Sequence, residues 1–526
     1  MKRLFALPLA FAAAFSLMSC ATGPSREQTM VSKAVQALGG AQAIADIRTI
    51  SYKGSQKQWE PEQSDVPGGE MRFANEAQVE GIIDVQARAS RTDFVKNFAY
   101  PSPRTFTYSE IVTPTAGYVI GVDTNGRNAE SMKANPPAHS MSGYRLATAQ
   151  REGRRGNISS LMLAMLFNPE QVTPAADVQG QPAVSYQGLT VAFDPQTGLP
   201  SRVRSLDYDN VWGDVTWDLV LSDWKQAGPI KVAMNRKLEL NGRVVNDFTF
   251  SDLKFNQPLD AKRLAIPAEA RAAAAKPASG NVPYQWVIRR QYIGVYLDSD
   301  SVSYDTKAAS PGLRLQELAP GVAQVVGGSH NSLVVEMSDF LVIFDAPVSD
   351  GQSQWTMKAA KEKFGNKPVK WVVLTHHHMD HAGGVRAMLA DGGTLVVGAP
   401  AREHFVKALA APTSRNPDLS PRSYSAVQIM EVTSSNVITD SRGRQVMMYV
   451  MDNPHAKGMM MGWVPDAKLG WVTDLWSPGT PMPAKPNPGL VSVVNTVKKA
   501  GVQPERFAGG HGSSAPYSQL TQLVGQ

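Results

Sequence analysis

The chain has 526 residues, 43% of them apolar and 19% charged, and these proportions are typical of a folded globular protein. They argue against a disordered chain and against one that spans a membrane repeatedly. The formal net charge of +6 is small for this length and includes no long basic run, which argues against nucleic acid as a partner. A chain of this length exceeds what one hydrophobic core usually organises, so we expect at least two domains.

The first residues have the features of an export signal. Lys2 and Arg3 precede an apolar stretch, residues 4–17, that is too short to span a bilayer stably. Shortly after it lies Cys20, the only cysteine in the chain. A single cysteine excludes a disulfide within the chain, and at this position it leaves only imidazole and carboxylate groups as metal ligands.

The residues that end this signal, Leu17-Met18-Ser19-Cys20, resemble a bacterial lipobox. That resemblance implies removal of residues 1–19, lipidation of Cys20 and a membrane anchor joined through a short tether, residues 20–26. Ala21 is typical of lipoproteins sorted to the outer membrane. We therefore expect an exported, lipid-anchored protein that faces the periplasm, and its oligomeric state is left open.

Residues 27–268 predict a mainly antiparallel β domain. Apolar residues at helical spacing begin at residue 28 and stop at Gly39-Gly40, and short alternating segments follow. Asn241-Gly242 is a strong hairpin signal. The pattern resembles the open β-barrels of lipoprotein-sorting and lipid-carrier proteins, which implies a lipid or polyketide-like ligand, and a scaffold without a ligand is the alternative. The predicted strands include residues 50–54, 78–85, 105–108, 117–120, 199–204, 211–221 and 231–240.

The composition then changes to that of a linker. Residues 266–282 are rich in Ala and Pro, and we place a connecting segment at residues 269–310. Packing of residues 284–304 on the first domain is left open. From residue 311 to residue 526, short apolar strands alternate with helices after an initial pair of strands. This order predicts two sheets faced by helices, so the chain as a whole is of the α+β class.

The most informative motif is Thr375-His376-His377-His378-Met379-Asp380-His381-Ala382-Gly383-Gly384. It follows the β-branched run 371–374, so it occupies the loop that leaves a buried strand. His376 and His378 are two residues apart, and in extended backbone their side chains leave on the same side, whereas His377 points the other way. Four candidate ligands within six residues predict a metal site.

Three further candidates come later, each beside a short apolar strand. His455 precedes the strand 459–464, Asp474 ends the strand 469–473, and His511 lies in a glycine-rich turn near the end of the sequence. Alone, each would be an ordinary loop residue. In this order after the first cluster, they favour a metal site.

The spacing His-x-His-x-Asp-His followed by Gly-Gly resembles the signature of the metallo-β-lactamase superfamily. For residues 311–526 this implies an αββα sandwich and two metal ions, with zinc expected and iron or manganese as alternatives. The resemblance implies one ion at His376, His378 and His455, a second at Asp380, His381 and His511, and Asp474 as the bridging ligand.

The same resemblance implies a mechanism in which a metal-bridging hydroxide attacks the substrate. Asp380 and Asp474 are the candidate catalytic residues, since Asp380 could orient that hydroxide or relay a proton. Asp345, at the end of the preceding strand, is a candidate for holding the metal loop from behind. For His330 in the loop 327–332, packing or loop anchoring is the expected role.

These residues predict an exported dinuclear zinc hydrolase that acts on a small-molecule carbonyl ester, lactone or thioester. The bridging Asp474 resembles that of hydroxyacylglutathione hydrolases and lactonases, and it ranks β-lactam or phosphoester hydrolysis second. A lipid-binding or sorting lipoprotein with a secondary metal domain is another alternative, and iron-dependent redox chemistry is a third.

Overall fold

The computed structural model describes residues 23–124, 133, 135–272, 280, 282–295, 297–298, 305–418 and 427–525. The predicted signal peptide, residues 1–19, and the lipidation site Cys20 lie outside these residues. Within the described residues, every helix is too short or too polar to cross a bilayer.

The N-terminal region forms a thirteen-stranded antiparallel sheet in the order β6-β5-β4-β3-β2-β1-β13-β12-β11-β10-β9-β8-β7, which leaves β6 and β7 at its two edges. At the predicted hairpin, Asn241 and Gly242 have φ of 50° and 78°, the left-handed conformation that such a turn requires. The strands are β1 Thr49–Ser64, β2 Met71–Asp84, β3 Ala89–Phe98, β4 Arg104–Val112, β5 Gly117–Gly121, β6 Ala138–Ser140, β7 Thr173–Pro174, β8 Ala183–Tyr186, β9 Leu189–Phe193, β10 Pro200–Asp209, β11 Gly213–Ala227, β12 Ile230–Leu240 and β13 Arg243–Phe255.

Helices cover part of this sheet. The first helix starts at an N-cap, Ser25, whose side chain accepts from the backbone of Gln28, and it ends at Gly39 as the sequence predicts. The first and fourth helices bury apolar residues such as Val35 and Met162 in one core with the strands. The helices of this region are α1 Arg26–Leu38, α2 Ala41–Ala45, α3 Gly143–Gly156, α4 Ile158–Phe167, α5 Ala268–Ala272 and α6 Tyr284–Ile293.

Part of the predicted connecting segment, residues 269–310, is an ordered helix rather than a linker. Nine of the ten residues of α6 are buried. The ring of Tyr284 packs edge-on against Trp217 of β11 at 4.9 Å, and Asn75 of β2 donates to the carbonyl of Tyr292 at 2.6 Å. A helix buried on nearly all sides lacks the one-sided apolar pattern by which a surface helix is detected in a sequence.

A large cavity lies between one face of the sheet and the helices, with a volume of about 1300 Å³. One cross-strand row runs along it, because Lys96, Ala77, Gln56, Phe248 and Arg236 face one another in turn on five adjacent strands. Four strand spacings place the two ends of this row roughly 19 Å apart along the sheet. The row therefore has a basic side chain at each end, Lys96 at one and Arg236 at the other.

The C-terminal region contains two sheets that pack face to face. The first has the order β14-β15-β16-β17-β18-β19-β20 and the second the order β21-β22-β23-β24-β25-β26. The strands are β14 Arg314–Ala319, β15 Val322–Val326, β16 Ser332–Glu336, β17 Leu341–Phe344, β18 Val369–Val373, β19 Thr394–Gly398, β20 Ile429–Val432, β21 Ser435–Thr439, β22 Gln445–Val450, β23 Met460–Val464, β24 Leu469–Val472, β25 Arg506–Gly509 and β26 Ser514–Pro516.

Residues such as Phe344 of the first sheet and Trp471 of the second share the core between the sheets. Separate apolar clusters lie under helices on the outer face of each sheet. The helices are α7 Asp350–Phe364, α8 Met379–Ala382, α9 Val385–Met388, α10 Arg402–Ala410, α11 Pro488–Ala500 and α12 Tyr517–Val524. The predicted αββα sandwich, and with it the α+β class, is confirmed.

Candidate metal centre

The histidine motif forms the loop between β18 and α8, and tight packing fixes its course. Gly383 and Gly384 end the motif, and a Cβ on Gly384 would collide with the side chain of Ser353 and the carbonyl of Ser349. Only a glycine allows this close approach of the loop to the start of α7. The loop is thus held against the sandwich before any ion binds.

His376, His378 and His455 bring three imidazole nitrogens to one point. Nε2 of His376 lies 3.0 Å from Nδ1 of His378, and Nε2 of His455 lies 3.3 Å and 3.0 Å from these two atoms. Ligands at about 2.1 Å from a tetrahedral zinc ion are about 3.4 Å apart. The three nitrogens therefore have the spacing of ligands to a single ion.

Other contacts orient these rings from behind. The Nε2–H of His378 donates to the carbonyl oxygen of Ser64 at 2.8 Å, which leaves Nδ1 for the cluster. Nδ1 of His376 lies 3.2 Å from the hydroxyl of Thr375, so its Nε2 faces the cluster. Such hydrogen bonds fix the tautomer of a ligating histidine.

A second group adjoins the first. His330, His381 and His511 each offer one ligand atom, and these atoms lie within 4.8 Å of one another. His376, His381 and Asp474 form a further group of the same kind. The two histidine groups are therefore neighbours, with Asp474 beside both.

Asp474 lies where a bridging ligand is expected. Its Oδ2 is 3.4 Å from Nε2 of His376 and 3.0 Å from Nε2 of His381, and its Oδ1 is 2.9 Å from Nε2 of His511. Both ring nitrogens of His381 and Oδ2 of Asp474 are buried, and although Nε2 and Oδ2 lie close to each other, none of the three atoms makes a well-aligned hydrogen bond among the described residues. Buried polar atoms without partners at one point favour an ion as the missing partner.

Asp380 does not join either group. Its Oδ1 accepts from the side-chain amide of Gln63 at 2.9 Å, and its Oδ2 lies 3.0 Å from Nη2 of Arg289 and 3.1 Å from Nε2 of His330. Arg289 also donates to Glu60 at 2.7 Å. The carboxylate that the sequence assigns to the second ion thus faces the N-terminal sheet and α6.

Asp345 supports the motif from the end of β17. Its carboxylate accepts from the backbone N–H of Thr375 at 2.7 Å and from the hydroxyl of the same residue at 2.9 Å. Its Oδ2 lies 3.5 Å from Nδ1 of His381. It therefore touches the residue that precedes His376 and one candidate ligand, which is the location expected of a residue that positions ligands.

Burial sets the charge state of the first group. It lowers the pKa of His376 and of His378 well below the usual value, and neighbouring imidazoles act in the same direction. Burial also lowers the pKa of His455 to about 4. These histidines are neutral near pH 7, which is the form that binds metal.

His381 and Asp474 behave differently because they face each other. Burial acts to lower the pKa of His381, but the carboxylates of Asp474 and Asp345 raise it well above the usual value. Burial acts to raise the pKa of Asp474, but the charge of His381 and other histidines lowers it well below the usual value. Asp474 is therefore ionised at neutral pH.

Sequence reasoning did not find the residues that the N-terminal region contributes. Ser64, Gln63 and Arg289 touch the motif although they are separated from it in sequence by 314, 317 and 91 positions. No local pattern marks such contacts. His377, which was left out of the ligand set, turns to Ser64, with its Nε2 3.1 Å from the hydroxyl.

One further acidic group is already satisfied without an ion. Asp123, His139 and Asp298 lie together in the N-terminal region. The guanidinium of Arg145 contacts Asp123 and Asp298 at 2.6 Å each. This cluster is an ion-pair network inside the domain.

Residues 325–515 match the family model of the metallo-beta-lactamase superfamily. The match confirms, for this part of the chain, the resemblance that the histidine motif indicates. The comparison with curated proteins finds no match.

Several solved structures are similar to part of the chain. The metal-soaked Flv1 flavodiiron core from Synechocystis is 14% identical with a TM-score of 0.32, and the similarity covers 40% of this chain and 59% of that one. The inverting sec-alkylsulfatase Pisa1 from Pseudomonas sp. is 17% identical with a TM-score of 0.31, covering 43% and 44%. The mono-zinc form of the metallo-beta-lactamase FIM-1 from Pseudomonas aeruginosa is 18% identical with a TM-score of 0.31, covering 41% and 94%.

Proposed function

We propose that the chain is a dinuclear zinc hydrolase acting on a small carbonyl ester, lactone or thioester. The observation that carries this proposal is the convergence of His376, His378 and His455, whose nitrogens are 3.0 to 3.3 Å apart, next to a second histidine group. Three neutral imidazole nitrogens that converge at that spacing cannot all be satisfied by hydrogen bonds to one another, whereas one ion between them would accept all three lone pairs.

Two zinc ions in these positions would lower the pKa of a bound water towards neutrality and polarise the carbonyl oxygen of a substrate. The protein's own part is to hold the ligands rigidly. Asp474, ionised and next to both groups, keeps negative charge between the two ion positions and can accept a proton from a nucleophilic water. Asp345 and Thr375 fix the loop, so the histidines need not reorganise when an ion binds.

Ester, lactone or thioester substrates rank above β-lactams and phosphoesters because of Asp474. The resemblance to hydroxyacylglutathione hydrolases and lactonases rests on this aspartate and on the absence of a cysteine ligand, since Cys20 is the only cysteine in the sequence. Iron in place of zinc would favour redox chemistry, since imidazole and carboxylate ligands accept either metal.

The test is a hydrolysis screen with lactone, thioester, phosphodiester and β-lactam reporters on the purified chain, with and without a chelator. His378→Ala and Asp474→Ala should abolish metal binding and turnover together. His404→Ala is the matched control, because His404 is also buried and packs near His377 without joining either histidine group. A His378→Ala variant with full turnover would contradict the proposal.

A second candidate function belongs to the cavity of the N-terminal sheet, which we propose binds an amphiphilic anion such as a long-chain carboxylate. Lys96 lies among the rings of Phe94, Phe98 and Tyr108, at 5.3 to 5.8 Å from their centres. Burial lowers its pKa to about 8. A cation in such apolar surroundings is costly, and an anionic head group would offset that cost.

Two more polar groups on the same wall favour an amphiphilic ligand. Nε2 of Gln56 is buried and has no hydrogen-bond partner among the described residues. Arg236 donates to the carbonyl of Gly156 at 2.7 Å, and its guanidinium also lies over the ring of Phe250. Apolar side chains such as Val79 and Leu253 line the rest of the cavity.

Mass spectrometry of organic extracts and displacement of a fluorescent fatty acid test this second candidate. Lys96→Met should weaken fatty-acid binding at least tenfold. Lys53→Met is the control, because Lys53 is an exposed lysine of the same sheet paired with Glu80. Equal binding by both variants would exclude a head-group site at Lys96.

For the location of the protein, we keep the proposal that Cys20 is lipidated and anchors the chain to the outer membrane, facing the periplasm. The proposal rests on the sequence of residues 2–21 alone, with its basic start, its apolar stretch, Leu17-Met18-Ser19-Cys20 and Ala21. Full-length protein should partition with membranes and carry a diacylglyceryl mass at Cys20, and Cys20→Ala should release it. Membrane association of the Cys20→Ala variant would contradict the anchor.

A further inference from the structure

The loop that carries His455 lies against the N-terminal sheet. This loop connects β22 to β23, and the side chain of Asn453 accepts from the backbone N–H of His455 at 2.8 Å. The segment that leads from β1 into β2, residues 64–72, which we call the β1–β2 turn, runs beside the loop. The backbone N–H of Lys457 donates to the carbonyl of Asp65 in this turn at 2.7 Å.

Arg72 joins the β1–β2 turn to His455 itself. Its Nη2 donates to the backbone carbonyl of His455 at 2.7 Å and lies 3.0 Å from the carboxylate of Asp65. Only 10% of the Arg72 side chain is exposed, so water could not easily replace this donor. Asp65 and Arg72, which are paired with each other, therefore hold the loop from Asp65 at one end of the turn and from Arg72 at the other.

Ser64, at the end of β1, reaches another candidate ligand of the same ion. Its carbonyl oxygen accepts from the Nε2–H of His378 at 2.8 Å. The other ring nitrogen of His378, Nδ1, then faces Nε2 of His455 at 3.0 Å. Both Ser64 and His378 are buried. Two of the three nitrogens at the first ion position thus depend on a segment outside the matched residues 325–515.

The charge of Arg72 by itself disfavours an ion at this position. Burial lowers the pKa of His378 and of His455, and the charge of Arg72 acts in the same direction. A charge that disfavours a proton on these rings also disfavours a divalent cation between them. Charge and hydrogen bonding at Arg72 therefore have opposite effects on metal affinity, and the two can be told apart by the sign of the change when Arg72 is replaced.

We infer that the β1–β2 turn is part of the first ion position, with Arg72 as the positioning residue of His455 and the carbonyl of Ser64 as the group that orients His378. This inference rests on the proposed function, because it needs an ion at His376, His378 and His455. The N-terminal sheet is then required for the full affinity of a metal centre whose candidate ligands all lie in the C-terminal region.

The first experiment measures the two zinc dissociation constants of the purified chain by competition with a chelator of known affinity. In Arg72→Gln, one constant should rise about tenfold and the other less than about threefold, as expected when an outer contact of one ligand is lost. Arg444→Gln is the matched control. Arg444 also donates to a backbone carbonyl, that of Glu336 at 2.7 Å, and pairs with an exposed aspartate, Asp466, at 3.0 Å, but it precedes β22 whereas His455 follows it. Both zinc constants of this control should equal those of the unaltered protein.

The sign of the change separates a positioning role from the alternatives. If Arg72 acted only through its charge, its removal would tighten zinc binding. If it only stabilised the fold, the folded Arg72→Gln variant would keep both zinc constants, and only the urea unfolding of the metal-free protein would change. Unchanged or tighter zinc binding by Arg72→Gln would therefore overturn the inference.

The second experiment needs no variant, so it decides the case if Arg72→Gln does not fold. Because linkage is reciprocal, an ion that the β1–β2 turn helps to hold must stabilise the turn by the same factor. Zinc binding should therefore slow amide hydrogen exchange in residues 64–72 about tenfold. Residues 84–89, which form the turn at the other end of β2, are the internal control and should exchange at the same rate with and without zinc. Exchange in residues 64–72 that does not respond to zinc would overturn the inference.

The inference and the proposed function fail in different ways. If the unaltered protein binds no zinc, the proposed hydrolase itself is wrong. If it binds two zinc ions and its turnover is lost with a chelator, but neither Arg72→Gln nor hydrogen exchange shows the expected change, the hydrolase stands and only the role of the β1–β2 turn is wrong.

Discussion

Removal of Arg289 should destabilise the protein strongly, because this side chain neutralises two buried carboxylates. Arg289 lies 2.7 Å from Glu60 and 3.0 Å from Asp380, and both acidic side chains are shielded from solvent. Arg289→Met keeps the apolar part of the side chain and leaves both carboxylates without this cation. Breaking a buried ion pair from one side costs about 3 to 5 kcal/mol.

The loss of stability should depend on pH, and the direction of that dependence follows from the two carboxylates. Burial acts to raise the pKa of Asp380, but the charge of Arg289 lowers it well below the usual value. In the unaltered protein the ionised Asp380 therefore stabilises the fold above about pH 4, and this stabilisation is lost as the pH falls further. Burial raises the pKa of Glu60 although Arg289 opposes it. Without Arg289 both carboxyl groups should take up protons at higher pH, and protonation relieves the penalty. The difference in free energy of unfolding between the two proteins should therefore shrink as the pH falls from 7 to 5.

Urea unfolding followed by tryptophan fluorescence, in the presence of a chelator so that metal binding makes no contribution, measures this difference. Arg236→Met is the matched control, because Arg236 donates to the backbone carbonyl of Gly156 rather than to a carboxylate. The change in the free energy of unfolding that this variant causes should be nearly independent of pH in the same range. A loss at Arg289→Met below about 1 kcal/mol, or one that does not change with pH, would refute the reasoning.

Three other outcomes follow from the structure. His378→Ala or Asp474→Ala should remove metal and turnover together while circular dichroism shows most of the fold retained. Lys96→Met should raise the free energy of unfolding by about 3 kcal/mol at pH 7, because the pKa of Lys96 falls from 10.5 to about 8 on folding. Urea titrations should show this gain vanish as the pH rises towards 10.5. Gly384→Ala should cost about 1 to 3 kcal/mol in the same assay, and lower zinc affinity, because the added methyl group collides with the side chain of Ser353.

Much of the fold follows from local patterns in the sequence. The alternation in residues 231–240 and the turn at Asn241-Gly242 predict the hairpin of β12 and β13, because turn chemistry and a two-residue period are local properties. The apolar run before the histidine motif predicts β18 for the same reason. The order of strands and helices after residue 311 predicts the sandwich.

Local sequence patterns do not reveal features that depend on contacts between distant segments of the chain. Residues 284–293 fall within the predicted connecting segment, because a helix that is buried on nearly all sides lacks a one-sided apolar pattern. Ser64 and Gln63 lie at the end of a long strand, and only the folded chain brings them to His378 and Asp380. Their roles follow from packing, which no local motif encodes.

The candidate site likewise combines residues that local patterns predict with contacts that local patterns do not reveal. His376, His378 and His381 of the motif lie together with the three later candidates, His455, Asp474 and His511, in groups that could hold an ion. His330 carries no motif, and the side-chain amide of its neighbour Asn331 donates to two carbonyls in the loop of His511, 178 and 181 positions away. The neighbourhood of Asp380 likewise depends on Arg289, which belongs to a helix outside the matched region.

The central claim is that the histidine and aspartate groups of the C-terminal sandwich hold two zinc ions that support hydrolysis. Elemental analysis of the purified soluble chain from Ala21 onward, combined with turnover of the ester, lactone and thioester reporters before and after chelation, tests it most directly. We predict about two zinc ions per chain and turnover that is lost with the chelator and restored by zinc. A chain that binds no metal at saturating zinc, or whose turnover survives complete removal of metal, would contradict the claim.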